Sequence, residues 1–161
     1  MSRLYGGWVL PTSIICSMLL QLFPLPPTLL PWRPYWLALV LIYWAIELPE
    51  KVGLGVAFCT GIIADVLYGG HIGEQSLRLV VMLFLVERFR IRLRFFPLPQ
   101  QAVVVCAYLY NDRLIALILH FLLNEQIVPW SYWYAPLIGA LLWMPLFIFL
   151  DALHLGQRQR K

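Results

Sequence analysis

The sequence predicts an all-α protein, a polytopic transmembrane bundle of six helices, and three observations carry that expectation. Of 161 residues, 61% are apolar and only 12% are charged, and the mean hydropathy is +0.77. A water-soluble domain of this size has no interior large enough to hide so much apolar side chain. The apolar residues fall into six runs punctuated by charge, proline and glycine. Finally, the basic residues gather at one set of ends of those runs, which is how membrane topology is written into a chain.

The first run, Trp8 to Phe23, follows a start with one charge and has no small-residue cleavage site, so it is expected to be a retained helix and not a removed signal peptide. The second, Tyr35 to Leu48, is short for a bilayer crossing; it must be matched to a thin membrane, extended by snorkelling flanks or partly buried in the bundle. The same holds for the fourth, Gln75 to Phe89. The third, fifth and sixth are Val52 to Tyr68, Ala102 to Leu123 and Ala135 to Leu153. Proline marks the joints at Pro24, Pro49, Pro97 and Pro129, where it suits turns and helix starts but not helix interiors. All 161 residues are accounted for as a single integral membrane domain.

Counting Lys and Arg orients the bundle. With the N-terminus cytoplasmic, Arg3, Lys51, Arg88, Arg90, Arg92, Arg94, Arg158, Arg160 and Lys161 fall inside, nine of the twelve. The positive-inside rule therefore places both termini in the cytoplasm. Trp32, Tyr35 and Trp36 at one outer joint, and Trp130, Tyr132, Trp133 and Tyr134 at another, read as an interfacial aromatic belt. In the run Arg88 to Arg94, cations alternate with Phe89, Ile91 and Leu93. That alternation is expected to lay the apolar residues into the interface while the guanidinium groups contact anionic headgroups of the inner leaflet; docking of a cytoplasmic partner is the second reading. The net charge of +4 is explained by this placement, and nucleic acid is not an expected partner.

Ionisable groups inside the spans carry the functional expectation, because they are costly in hydrocarbon. Asp65 lies thirteen residues beyond Val52, about 20 Å along a helix, and Arg78 opens the next span from the same side. An ion pair between them, or a carboxylate capping backbone, ranks ahead of a substrate or proton site. In the fifth span, Asp112 and Arg113 point about 100° apart and are expected to reach different neighbours. Arg113, His120 and Asn124 share one side at spacings of seven and four, a polar stripe that with Asp112 is expected to pack internally or to face a partner's transmembrane helix. An ion or proton path is the third reading.

Other chemistry has no motif. His71, His120 and His154 lack metal-ligand spacing, and there is no nucleophile elbow, Walker loop or paired carboxylate. Cys16, Cys59 and Cys106 each sit alone in an apolar run and read as small buried hydrophobes, not as a disulfide or zinc set. No cofactor and no metal are expected, and the protein is expected not to be an enzyme. Gly61, Gly69 and Gly73, which together with Asp65 recur every four residues, predict a closely packed third helix.

These residues also form a pattern. Gly61-x3-Asp65-x3-Gly69-x3-Gly73 at the end of a third span is similar to the signature of the MreD family, as is Arg33-Pro34-x-Trp36 leading through Tyr43-Trp44 to Leu48-Pro49-x-Lys51-Val52-x2-Gly55. Gln21, Gln100-Gln101-Ala102, Asp112 and Trp143 are weaker matches. The resemblance implies a multi-pass subunit of the bacterial cytoplasmic (inner) membrane within the cell-elongation machinery. It implies association with the bitopic protein MreC, and through it a link from MreB filaments to the RodA glycosyltransferase and its penicillin-binding transpeptidase. It further implies a fold like the six-helix substrate-binding subunits of energy-coupling-factor transporters. The small-residue side of the third span and the polar stripe of the fifth are the surfaces expected to receive a partner's helix. A vitamin-type transporter subunit is the alternative function, and a lipid-modifying intramembrane enzyme a more remote one.

Overall fold

A computed structural model describes residues 8–123 and 130–159, with side chains up to residue 156. Among the described residues there are six α-helices and no strand: α1 (Val9–Leu22), α2 (Trp36–Glu47), α3 (Leu54–Tyr68), α4 (Glu74–Phe95), α5 (Leu98–Leu122) and α6 (Ala135–Gln159). Short 3-10 turns at Leu30–Trp32 and Trp130–Tyr134 lead into α2 and α6.

Proline sets three of the helix ends. Phe23, Leu48 and Phe96 each precede a proline and leave the helical region, with ψ of 125°, 64° and 140°. The cause is the clash of the proline ring with the residue before it. α3 ends differently, at Gly69 with φ of +66°, a left-handed C-terminal turn that glycine adopts without penalty.

The bundle is built around α2. Every residue from Leu37 to Ile46 is buried, so the helix that is apolar on all sides is the core of the protein. It contacts α1, α4, α5 and α6, while α3 packs chiefly against α4, and α5 lies between α4 and α6. Of the ways in which a short second span can be accommodated, burial in the bundle is the one observed.

Two expectations are corrected. The fourth hydrophobic run ends at Phe89, yet α4 continues to Phe95 through all four arginines, because backbone hydrogen bonding stops only at Pro97. On a helix, residues two apart point to nearly opposite sides, so the alternating run does not lay its apolar members on one surface. Leu93 is buried in the core, whereas Ile91 is 71% exposed. Tyr35, expected in the aromatic belt, is buried.

Outside α2 the bundle is clothed in apolar side chains. Ile15 and Leu19 on α1, Phe58, Ile63 and Val66 on α3, Val103, Ile118 and Phe121 on α5, and Leu141, Ile148 and Phe149 on α6 are all more than half exposed. By length and composition, α5 and the segment Trp130–Gly156, which covers most of α6, are each able to cross a membrane. α1 and α3 are shorter apolar helices.

Candidate functional site

The polar groups of the interior converge where the α3–α4 turn meets α2 and α5. α3 delivers Asp65 one turn before its end, and its carboxylate accepts hydrogen bonds from the backbone amides of Gly73 (2.7 Å) and Gln75 (2.8 Å). Those amides belong to the first turn of α4, whose N–H groups have no partner within the helix. Asp65 therefore caps the following helix, and its negative charge sits at the positive end of the α4 dipole. Gly73 itself has φ of +100°, which positions the turn so that both amides face the acid.

One turn further along α4, Arg78 lies against α5. Its Nε donates to Asp112 Oδ1 at 3.0 Å and its Nη2 to Asp112 Oδ2 at 2.5 Å, while Nη1 donates to Glu74 Oε1 at 3.4 Å. Both members of the two-pronged pair are buried. The guanidinium also lies 5.3 Å from the centroid of the Tyr35 ring. The Tyr35 hydroxyl in turn donates to Gln75 Oε1 at 2.5 Å. Asp65, Gln75, Tyr35, Arg78 and Asp112 thus form one continuous polar network that ties α3, α4, α5 and the start of α2 together.

This arrangement decides between the sequence readings of Asp65. It does not pair with Arg78; it caps backbone, because the open amides of α4 lie directly ahead of it while Arg78 is rotated toward α5. Asp112 and Arg113 do reach different neighbours: the Arg113 guanidinium stacks 4.1 Å from the centroid of the Tyr132 ring. His120 Nδ1 lies 2.6 Å from the carbonyl of Ala116, within its own helix. The polar stripe is therefore divided, with Asp112 turned to the core and Arg113 to the turn before α6. Asn124 lies outside the described residues, as do the side chains of Arg3, Arg158, Arg160 and Lys161.

The small-residue side of α3 is also occupied. A Cβ on Gly61 would overlap Ser76 Cα and stand 2.6 Å from Ser76 N. Gly61 lets the α3 and α4 backbones touch, and the Ser76 hydroxyl uses that proximity to donate to the Phe58 carbonyl at 3.2 Å. The side expected to receive a partner helix is filled by α4 of the same chain; the side α3 leaves open carries Phe58, Ile63 and Val66.

A second buried amide stands at the opposite end of α4. Gln101 Nε2 donates to the carbonyls of Leu93 (3.0 Å) and Phe96 (3.1 Å), and its Oε1 accepts from Trp143 Nε1 at 3.4 Å. It caps the C-terminus of α4 and ties α5 to α6. The residue pattern marks neither Tyr35 as an interior residue nor Gln101 as a cap. The one available signal was a glutamine shortly after the proline that ends α4.

At the end of the bundle near Tyr35, Trp32 stacks on Tyr134 with ring centroids 5.3 Å apart, joining the two 3-10 turns. Arg33 Nη2 donates to the Phe23 carbonyl at 2.7 Å, placing a cation at the end of α1. Among the described residues no group of three or more His, Cys, Asp or Glu side chains is placed to hold a metal ion. What the site does chemically is to satisfy charge and backbone ends inside an apolar bundle.

Comparison with known proteins agrees in scale with this description. A family model described as rod shape-determining protein MreD matches residues 2–153. The rod shape-determining protein MreD of Haemophilus influenzae is 27% identical over 136 residues, covering 84% of each chain. No solved structure matches. With the family model covering nearly its whole length, the chain belongs to the MreD family of rod shape-determining proteins.

Proposed function

We propose that the chain is a non-catalytic assembly subunit of the bacterial cell-elongation machinery, crossing the cytoplasmic membrane six times with both termini inside. In this reading it associates with MreC. Through that partner it links MreB filaments to the RodA glycosyltransferase and its penicillin-binding transpeptidase, which build peptidoglycan along the lateral wall.

The observation that carries the reading is membership of a shape-determining family over residues 2–153. The physical features point the same way. An apolar exterior on α1, α3, α5 and α6 is stable against lipid and would drive association in water. Each charged group of the interior network is directed at another group of the same chain, which suits a rigid scaffold better than a reaction centre. α3 packs chiefly against a single neighbour, α4, so its open side is available to a partner's transmembrane segment through packing.

Two measurements test the proposal. Depletion of the protein should round rod-shaped cells, and detergent-solubilised membranes should yield MreC together with the tagged chain. Cells that stay rod-shaped after depletion, or MreC that never accompanies the chain at normal expression, would remove the reading.

A further inference from the structure

The four arginines near the end of α4 are not equivalent. Phe84, Arg88, Ile91, Arg92 and Phe95 fall within about 100° of one another at 3.6 residues per turn and therefore lie along one side of the helix. All five are exposed, with Phe84 at 51%, Ile91 at 71% and Phe95 at 83%. Arg90 and Arg94 lie on a different side, beside the buried Val86 and Leu93, and Arg90 has the carboxylate of Glu87 one turn before it. Arg88 and Arg92 have no acid at the positions three or four residues away in either direction. Among the described residues, no carboxylate lies within 4 Å of either guanidinium.

We infer that Arg88 and Arg92 form a binding site for the phosphate of an anionic phospholipid. Two guanidinium groups one turn apart, about 5–6 Å at Cβ, together present donors enough to hold a phosphodiester from two sides. Phe84 and Ile91 on the same stripe supply the apolar surface that the acyl chains of such a lipid require, and that a free anion does not. Excess positive charge with no internal partner, next to exposed apolar side chains, matches the boundary between headgroup and hydrocarbon. The site rests on the chain lying in a bilayer as proposed above. It goes further by assigning lipid selectivity to two of the four cations.

The test is a titration of the purified, detergent-solubilised full chain with phosphatidylglycerol and, separately, with phosphatidylcholine, with bound lipid read by native mass spectrometry. Phosphatidylglycerol should be retained selectively. The variant R88Q/R92Q should weaken that retention about thirtyfold, from roughly the contribution of two cations near a membrane surface. R90Q/R94Q should leave it little changed, and R88K/R92K should recover most of it. Equal losses in the two glutamine pairs would show diffuse charge and overturn the site. Equal retention of phosphatidylcholine, or displacement of the lipid by inorganic phosphate, would overturn it as well. Extraction of the membranes with alkaline carbonate separates the two levels: release of the wild-type chain sinks the membrane reading itself, whereas a chain that stays embedded but shows no selectivity sinks only the lipid site.

Discussion

Arg78 of α4 and Asp112 of α5 face one another as two parallel hydrogen bonds, 3.0 and 2.5 Å long, between side chains only 8% and 1% exposed. Thirty-four residues separate them in the chain. The geometry matches the fork of a guanidinium to the two oxygens of a carboxylate, which lysine in place of Arg78 does not reproduce.

Removing Arg78 leaves Asp112 buried without its partner, and removing Asp112 leaves the buried Arg78 with only its longer contact to Glu74 at 3.4 Å. Asp112→Leu should therefore destabilise the protein by about 3–5 kcal/mol, and Arg78→Leu by a similar amount. Unfolding in detergent, followed by helical circular dichroism, reads both. The double variant Arg78→Leu/Asp112→Leu should be more stable than either single one, since neither member of the pair is left buried without the other. Losses that simply add would show that the two side chains act independently.

The Asp65 cap predicts a graded series. Asp65→Ala removes both acceptors of the α4 amides and should cost about 1–2 kcal/mol, while Asp65→Asn keeps one oxygen and should cost less. Amide exchange at Gly73 and Gln75 is the local readout. Protection there that is unchanged in the alanine variant would contradict the cap.

Gly61 predicts a steric effect that grows with size. Gly61→Ala places a methyl group against the Ser76 backbone, which cannot rotate away, so the cost should be about 1–3 kcal/mol and should rise again for Gly61→Leu. Cysteine cross-linking between α3 and α4 should fall in parallel with stability. A Gly61→Leu variant as stable as the wild type would mean that the two helices do not approach here.

Gln101 predicts a loss at the opposite end. Gln101→Leu leaves the carbonyls of Leu93 and Phe96 and the indole of Trp143 without their partner, at about 1–3 kcal/mol. Trp143 fluorescence should shift in the variant, and limited proteolysis near Phe96 should accelerate. No change in either would place the amide outside the load of α4.

Topology is open to a direct check. Alkaline phosphatase fused after Ile72 or Ser131 should be active and a fusion after Arg94 silent. Ile72 stands in the α3–α4 turn, 79% exposed, so the fusion itself is tolerable there. The reverse pattern would invert the bundle and move the arginine site to the outer leaflet.

The order of amino acids alone locates the helices and supplies the polar groups of the interior. Long apolar runs leave the backbone no partner but itself in a dry environment, and proline after Phe23, Leu48 and Phe96 ends three helices by local sterics. The glycine pattern around Asp65 was equally legible, because it is short-range. The rotation of each helix about its axis is set by packing. In soluble helices one polar side reports that rotation; here α2 and α3 are apolar nearly all round and α5 carries polar residues on more than one side, so the pattern of residues does not say which side is inside. For that reason the pairing of Arg78 with Asp112, the turning of Tyr35 into the core and the filling of the Gly61 side by Ser76 emerge only when six helices are packed at once.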